Sequence, residues 1–381
     1  MDDVLAGVMG PTPLFARFLL TGLVAVAALL VVLASAIALR RALRLRSERR
    51  SAYLAAAVRP ILLEMAAEDV PSPRGLALLS GVDQRTWRAL EPSVVFLLAQ
   101  LRGDSRRALA DLLIARGAEI RACRHSRSRA SVRRAAAADV LGAIGTPMSV
   151  EELIRMLDDR DLEVRAAAAR ALGRIADPSA ALPLLAGLTA RRRLPSAIVV
   201  HGLLRIGTPA LHYLLGALDH RQVAIRVVAA KSLGLLGDVR AVERLTEAAS
   251  RDVSEDVRVS AATALGHIGS SGAVGTLLDA SMASQPSALR TAAVLALGEV
   301  GDIRTVPQLR GHLDDLDWRV AHAAAAALSA LGGGGYRALV EAATDPAAPG
   351  CAHALEALAL LDLRRARPEG GPIERQTALA V

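Results

Sequence analysis

The sequence is poor in aromatic residues: Phe, Trp and Tyr make up 2% of 381 residues, whereas hydrophobic residues as a whole make up 52%. The eight aromatic side chains do not cluster along the chain, so they form no row of stacking platforms for single-stranded nucleic acid. Ala and Leu supply most of the apolar content, which favours close-packed helices over a β-rich core.

Cysteine and catalytic motifs are also scarce. Cys123 and Cys351 lie far apart without CxxC spacing, which argues against a disulfide framework or a zinc site and predicts reduced thiols. The chain has no GxSxG, P-loop, HExxH or His-Glu dipeptide. We therefore predict no catalytic residue, cofactor or metal ligand, and we interpret His267 and His322 as packed or solvated. The glycines at 332–335 are predicted to form a flexible turn.

The net charge of +8 is unevenly distributed along the chain. Residues 40–134 hold 20 Arg against 9 acidic residues, whereas residues 135–381 hold 25 basic and 27 acidic residues. Lys231 is the single lysine, and this bias towards arginine is typical of GC-rich bacterial genomes. A nearly neutral C-terminal part weakens any interpretation of the whole protein as a polyanion binder.

Residues 18–39 form one uncharged apolar run without proline. At about 1.5 Å per residue, such a helix spans a hydrocarbon core of about 30 Å. A cluster of arginines follows it, namely Arg40, Arg41, Arg44, Arg46, Arg49 and Arg50. The positive-inside rule predicts that this side faces the cytoplasm, and these side chains can also contact anionic lipid.

A cleaved signal peptide is the alternative interpretation of the same run, because Ala34-Ser35-Ala36 resembles a cleavage site. The apolar run is longer than the usual signal core, and the residues before it are acidic. A transmembrane anchor is therefore favoured. A buried core helix fits less well, because such helices are rarely apolar on every face.

From about residue 121 the sequence repeats itself with a period of 30–32 residues. The repeats align on a series of leucines: Leu141, Leu172, Leu203, Leu233, Leu265, Leu297, Leu328 and Leu358. Self-similarity at this period predicts a solenoid in which neighbouring units bury one another's apolar faces.

Each unit is predicted to hold two helices. Val164, Ala168 and Leu172 recur at helical spacing, and Gly-Asp pairs such as Gly237-Asp238 then interrupt the pattern. Glycine suits a helix C-terminus, and aspartate can cap the helix that follows. A glycine follows five of the aligned leucines and is expected to allow a close helix crossing: Gly142, Gly173, Gly234, Gly266 and Gly298. The unit around Leu203 departs from this pattern through an Arg triplet and a proline, so a local bend is expected there.

The repeated text resembles the HEAT-like repeat family, in particular the short repeats of phycobilisome lyases. The resemblance rests on VRAAAARALGRIAD from Val164 and VRVSAATALGHIGS from Val257. It implies an all-α solenoid of helix pairs, and it is nearly silent on function because such repeats are general interaction modules.

One arginine recurs at the same position of several units, namely Arg165, Arg226, Arg258 and Arg290. The favoured interpretation is an internal ladder in which each guanidinium pairs with a nearby acid such as Asp158, Asp219, Asp252 or Asp256. The alternative is a cationic stripe that faces a ligand.

A second basic run has no acidic residue and consists of Arg121, Arg124, Arg127, Arg129, Arg133 and Arg134. Such a run can bind nucleic acid or anionic lipid. A solvated loop explains it equally simply, and nucleic acid is considered the less favoured partner.

The predicted organisation comprises a short extracytoplasmic N-terminus (1–17), a transmembrane helix (18–39), a basic juxtamembrane segment (40–51), an irregular helical cap with degenerate repeats (52–129), HEAT-like repeats (130–363) and a disordered tail (364–381). The favoured function is a single-pass, membrane-anchored scaffold that presents a cytoplasmic solenoid to a protein partner, with a membrane enzyme as one candidate. An enzyme or cofactor-handling protein of the lyase type, and a nucleic-acid binder, are the alternatives.

Overall fold

The computed structural model of the chain describes residues 23, 28–35, 38–39, 41, 73–98, 101 and 103–366. Helices and turns, without any β-strand, make up these described residues. The chain divides into two compact units, residues 1–115 and 116–381. The second unit holds the repeats, so the all-α repeat solenoid predicted from the sequence is confirmed.

In the first unit the described helices are α1 (Pro73–Gly81), α2 (Gln84–Leu98) and α3 (Gly103–Ala115). They bury an apolar interior that includes Trp87, Leu90 and Leu113. These helices fall within the segment predicted to be an irregular cap (52–129), of which residues 52–72, 99–100 and 102 lie outside the described residues.

The second unit contains α4 (Ala118–His125), α5 (Ser131–Ile144), α6 (Pro147–Met156), α7 (Leu162–Ile175), α8 (Ala181–Ala186), α9 (Ser196–Ile206), α10 (Leu211–Ala217), α11 (Val223–Leu236), α12 (Val242–Arg251), α13 (Glu255–Ile268), α14 (Val274–Ser281), α15 (Ser287–Val300), α16 (Val306–Gly311), α17 (Trp318–Ala330), α18 (Gly332–Ala342) and α19 (Cys351–Ala366). From α5 onwards the helices alternate between a first helix, which carries an aligned leucine, and a shorter second helix. The aligned leucines from Leu141 to Leu328 are fully buried, whereas Leu358 in α19 is half-buried.

Backbone geometry explains how the first helices end. Gly237 and Gly301 adopt left-handed conformations, with φ of 68° and 78°, directly after α11 and α15. The next residue then caps the turn that leads into the second helix, since Asp238 accepts a hydrogen bond from the Arg240 N–H. Ala176 adopts the same left-handed conformation with φ of 61°, at a cost of roughly 1–2 kcal/mol that glycine avoids.

Where a glycine follows the aligned leucine, the first helix comes close to the first helix of the next unit. A Cβ atom at Gly266 would lie 2.7 Å from Ala296 Cα, and one at Gly298 would lie 2.6 Å from Ala327 Cα. Carbon atoms in favourable contact lie about 3.5–4.0 Å apart, so a methyl group at these positions would push the helices apart. Gly142 and Gly234 make equivalent approaches to the next unit.

The four glycines at 332–335 do not form the flexible turn predicted from the sequence, because they build the first turn of α18. Close packing requires a glycine at the last of the four positions. A Cβ atom at Gly335 would overlap the Leu328 carbonyl oxygen near the end of α17, so only a residue without a side chain fits.

Residues 23, 28–35 and 38–39 of the predicted transmembrane segment are described, and they are helical and exposed. Taken over the described parts of the chain, no single helix has the length and hydropathy needed to cross a bilayer. The helices Ser196–Ile206 and Thr208–Ala217, bent by 109°, pass that test only as a pair. The remainder of 18–39, and residues 1–17, lie outside the described residues, so the anchor stays a prediction.

The C-terminal helix α19 continues to Ala366, three residues into the tail predicted to be disordered. Residues 367–381, which make up the rest of that predicted tail, lie outside the described residues.

Replacing Gly266 with alanine tests whether the close helix approach limits stability. Alanine is the better helix former by about 1 kcal/mol, but overpacking costs typically about 1–3 kcal/mol, so we expect Gly266→Ala to lower the free energy of unfolding. Gly275 in α14 is the matched control, because it is exposed and a Cβ there would meet nothing within 4 Å. Urea unfolding followed by circular dichroism should show no loss for Gly275→Ala, and equal behaviour of the two variants would contradict this account.

Candidate functional site

Five first helices carry an arginine at the same position, and the structure adds Arg134 to the four arginines found in the sequence pattern: Arg134, Arg165, Arg226, Arg258 and Arg290. The guanidinium groups of Arg134, Arg165 and Arg226 lie between the chain just before their own first helix and the loop that follows their own second helix. Those of Arg258 and Arg290 also contact the loop that follows their own second helix. We call this set the arginine ladder.

Arg226 shows the complete arrangement. Its Nε and Nη2 donate to the two carboxylate oxygens of Asp252 at 2.7 and 2.8 Å, and its Nη1 donates to the His220 carbonyl oxygen at 2.9 Å. Arg134 contacts Asp159 through the same two nitrogen atoms at 2.7 and 2.8 Å. Such bidentate pairs combine charge with fixed geometry and are among the stronger hydrogen bonds in proteins.

The remaining ladder arginines use other acceptors in part. Arg290 contacts Asp315 at 2.5 Å. Arg165 donates to the carbonyl oxygens of Asp159 and Arg193. Arg258 donates to the Ala249 carbonyl oxygen and the Gln285 side chain. The common feature is therefore the contact with the loop that follows the second helix, and a carboxylate is one of several acceptors.

Of the four acids suggested as ladder partners, the structure places Asp252 beside a ladder arginine. Asp219 instead pairs with Arg244. The carbonyl oxygen of Asp158 accepts a hydrogen bond from Arg192, and Asp256 lies exposed in the first turn of α13.

The ion pairs shift the titration of their acids. Burial raises the pKa of Asp252, but hydrogen bonds from Arg226 and from the Ser254 N–H outweigh it, so the pKa lies below its usual value. The pKa of Asp159 is lowered in the same way by Arg134 and the Asp161 N–H. The carboxylates therefore stay ionised in the folded protein at neutral pH.

The basic run at 121–134 is divided between two environments. Arg134 belongs to the ladder and is buried, and Arg121 donates to the Arg116 carbonyl oxygen at 2.6 Å. The other four arginines of the run are exposed: Arg124, Arg127, Arg129 and Arg133. The juxtamembrane arginines lie outside the described residues, except Arg41, which is helical and exposed.

An open groove lies where the repeat pattern is irregular, and we call it the α8–α10 groove. Its volume is about 510 Å³, and it is bounded by α8, α10 and the start of α11. Helix α8 has only 6 residues, and the chain then leaves through a loop closed by a hydrogen bond from Leu194 N to Gly187 O. Gly216 on α10 adds no side chain, and a Cβ there would meet nothing within 4 Å.

The groove has an apolar floor and a polar rim. Leu185 and Ile225 are buried in its floor. His212 and Tyr213 lie side by side with ring centroids 3.7 Å apart, and Arg221 is exposed at the rim. The residues that line the groove include no Asp or Glu. This combination suits an apolar side chain of a ligand flanked by negative charge.

A second cluster joins the last two first helices. His322 on α17 lies beside His353 and Glu356 on α19, and one nitrogen or oxygen atom from each lies within 4.8 Å of the others. The sequence analysis missed this cluster and interpreted His322 as packed or solvated. Two signals were available: His353 and Glu356 are three residues apart, and His322 and His353 are separated by one repeat length.

The sequence and the fold can be compared with known proteins. A family model described as HEAT repeats matches residues 120–198, 193–266, 242–329 and 275–359, which together cover more than half of the chain. No curated protein matches the sequence.

Solved structures give more distant similarities. Human deoxyhypusine hydroxylase in complex with glycerol is 19% identical, with 74% of this chain and 98% of that chain covered and a TM-score of 0.30. The CpcE–CpcF complex of phycocyanin lyase from Nostoc sp. PCC7120 is 23% identical, with 48% and 99% covered and a TM-score of 0.29. Yeast importin-β (Kap95p) is 12% identical, with 79% and 52% covered and a TM-score of 0.45. At these values the similarities assign no activity or partner to the chain.

Replacing Asp252 with asparagine tests the ladder. Hydrogen bonds to charged groups contribute about 1.5–3 kcal/mol, so we expect Asp252→Asn to lower the free energy of unfolding by about that amount at pH 7. Because folding lowers the pKa of Asp252, its contribution is present above the unfolded pKa, about 3.9, and is lost as pH falls through the folded value.

Asp279→Asn is the matched control, because it removes the same charge from an exposed side chain in α14. Surface substitutions of this kind change stability by about 0.5 kcal/mol or less. Urea midpoints should differ between the two variants at pH 7 and converge near pH 2. Equal midpoints at pH 7 would show that the Arg226–Asp252 pair does not stabilise the array.

Proposed function

Because the chain belongs to the HEAT-repeat family, we propose that it is a membrane-anchored interaction scaffold, and not an enzyme, whose helical repeats bind a protein partner in the cytoplasm. The observation that carries this proposal is the α8–α10 groove, an open site at a unit that departs from the regular repeat. The membrane anchor is the second part of the proposal and rests on residues 18–39.

The groove supports a protein partner of defined chemistry. Its apolar floor accepts an apolar side chain, whereas His212, His220 and Arg221 line its polar part. The side chains of residues 191–193, three arginines in the nearby loop, are exposed as well. Positive charge around an apolar pocket favours a segment that carries acidic residues beside an apolar anchor.

Tyr213 offers one of the few aromatic contacts that the chain possesses. Tyrosine is among the residues that contribute most at protein interfaces, and a single aromatic contact is consistent with modest affinity. Anchoring the scaffold and its partner to one bilayer raises their effective concentration, so a modest interface can still hold them together.

The alternatives have less support. For nucleic-acid binding through residues 121–134, two of the six arginines are already engaged in contacts within the chain, namely Arg121 and Arg134. A lyase-type enzyme requires a catalytic constellation in a pocket. The α8–α10 groove offers two histidines and a tyrosine without an acid among its lining residues.

The membrane anchor is supported by two observations. Residues 18–39 contain no charged side chain, and an arginine cluster follows them. The described residues of this segment are helical, and large apolar side chains such as Leu29, Val31 and Val32 are about two-thirds exposed. An apolar helix with exposed side chains requires a nonpolar surrounding, which a bilayer provides.

Arginine substitution within the segment tests the anchor in the full-length chain. Each arginine at the centre of a transmembrane helix costs roughly 2.5–3.5 kcal/mol, so we expect Leu29→Arg with Val32→Arg to release the protein from membranes during alkaline extraction. Leu316→Arg is the control, because Leu316 is a fully exposed leucine outside the segment. Retention of the double variant in the membrane pellet would contradict anchoring by this helix.

Filling the groove tests the partner site. Gly216→Leu places a side chain into open space without disturbing packing, so we expect the variant to fold normally and to lose its partner. Gly275→Leu is the control, because Gly275 is also an exposed glycine of a second helix with open space around it.

Affinity purification from detergent-solubilised native membranes measures the effect. We expect one protein to be captured with the unaltered chain and with Gly275→Leu, and to be depleted at least about tenfold with Gly216→Leu. A tenfold loss of affinity corresponds to about 1.4 kcal/mol of binding free energy. If the same proteins are captured with all three chains, the groove is not the partner site.

A further inference from the structure

The cluster of His322, His353 and Glu356 lies in a groove between α17 and α19. One wall is a helical stripe of α17 that runs from His322 through Ala326 to Ser329, and the other is a stripe of α19 that begins with His353 and Glu356. Residues three or four apart share a helix face, so the two stripes oppose each other along their length. The volume between them is about 220 Å³.

The three side chains are close enough to share one ion. The Nδ1 atom of His322 lies 3.6 Å from Oε2 of Glu356, and the rings of His322 and His353 are 6.2 Å apart at an angle of 73°. Zinc binds histidine nitrogen and carboxylate oxygen at about 2.0–2.2 Å, which places neighbouring ligand atoms of a tetrahedral site roughly 3.3 Å apart. Small rotations of partly exposed side chains close the remaining distance.

Stacking of the repeats does not require this cluster. At the position of His322 the five preceding first helices have other residues: Thr291, Val259, Val227, Ala197 and Ala166. Those units stack without an imidazole at that position. The repeat therefore does not explain the histidine in α17, whereas the neighbouring His353 and Glu356 indicate a role for it.

We propose that His322, His353 and Glu356 bind a divalent transition-metal ion, Zn²⁺ by the chemistry of its ligands. Two imidazole nitrogens and one carboxylate oxygen form a set that zinc favours, and three protein ligands leave one position for water or an external ligand. The ion connects α17 with α19, so it fixes the last first helix of the array. This site is separate from the α8–α10 groove and does not depend on the partner proposed above.

The charges around the site are compatible with a cation. Besides the two histidines, the ionisable residues that line the groove between α17 and α19 are Glu356 and Arg364. Arg364 lies eight residues further along α19 than Glu356, which corresponds to about 12 Å along the helix axis. Its guanidinium can therefore extend away from the bound ion.

Zinc titration of the purified full-length protein in detergent, freed of metal with a chelator, tests the proposal. We expect one Zn²⁺ per chain by isothermal titration calorimetry. His353→Ala should weaken binding by more than about tenfold, since even loss of a residue behind the ligands has that effect. His267→Ala is the matched control, because His267 pairs with Glu299 at 3.9 Å without a third ligand.

Cobalt provides a second readout that a structural role alone would not change. Co²⁺ bound by the cluster gives visible absorption bands that His322→Ala and Glu356→Gln should each abolish and His267→Ala should retain. All three ligands are at least partly exposed, so the metal-free variants should keep the helical content of the unaltered chain. The proposal is overturned if Zn²⁺ does not bind stoichiometrically, or if binding survives in all three ligand variants.

Discussion

The spacing between units is set where the backbone of one first helix meets an alanine of the next with no side chain between them. At Gly266 and Gly298 the contact is too close for a methyl group. Because the helices come this near, the aligned leucines from Leu141 to Leu328 share one continuous interior, and each of these exposes almost no surface. The same spacing brings the loops at the helix ends within reach of a single arginine side chain. The ladder contacts therefore depend on the glycine positions, and not the reverse.

The arginine ladder supplies hydrogen-bond donors to loops that close stacking of the repeats encloses. The loops between units carry carbonyl oxygens that would otherwise be enclosed without donors, and a buried polar group without a partner is costly. Arg226 supplies donors to one loop through the His220 carbonyl oxygen and to the next through Asp252. Arg165 performs the same task with carbonyl oxygens alone. The repeated requirement is thus for a long side chain with several hydrogen-bond donors. Its acceptor is an aspartate in some loops and a backbone carbonyl oxygen in others.

Much of the fold could be predicted because the repeat is local: the leucine series and the Gly-Asp interruptions appear within one unit of sequence. The sites were harder, because their members lie about one repeat apart. Arg134 looked like part of a free basic run, since its partner Asp159 comes 25 residues later. His322 and His353 belong to different units, and a search for adjacent His-Glu residues passes over them. The prediction of a flexible turn at 332–335 was wrong because Gly335 packs against the Leu328 carbonyl group, which composition alone does not reveal.

The unit formed by α9 and α10 interrupts the arginine ladder between Arg165 and Arg226. Its first helix, α9, has Ser196 at the ladder position, so the loops on either side of this unit are not connected by a guanidinium from α9. In a repeat protein, cooperativity is transmitted through nearest-neighbour coupling, and weaker coupling at one boundary divides the array into two cooperative blocks. A ligand seated across that boundary would couple the blocks again. The array then unfolds as two segments, and a bound ligand changes the strength of the coupling between them.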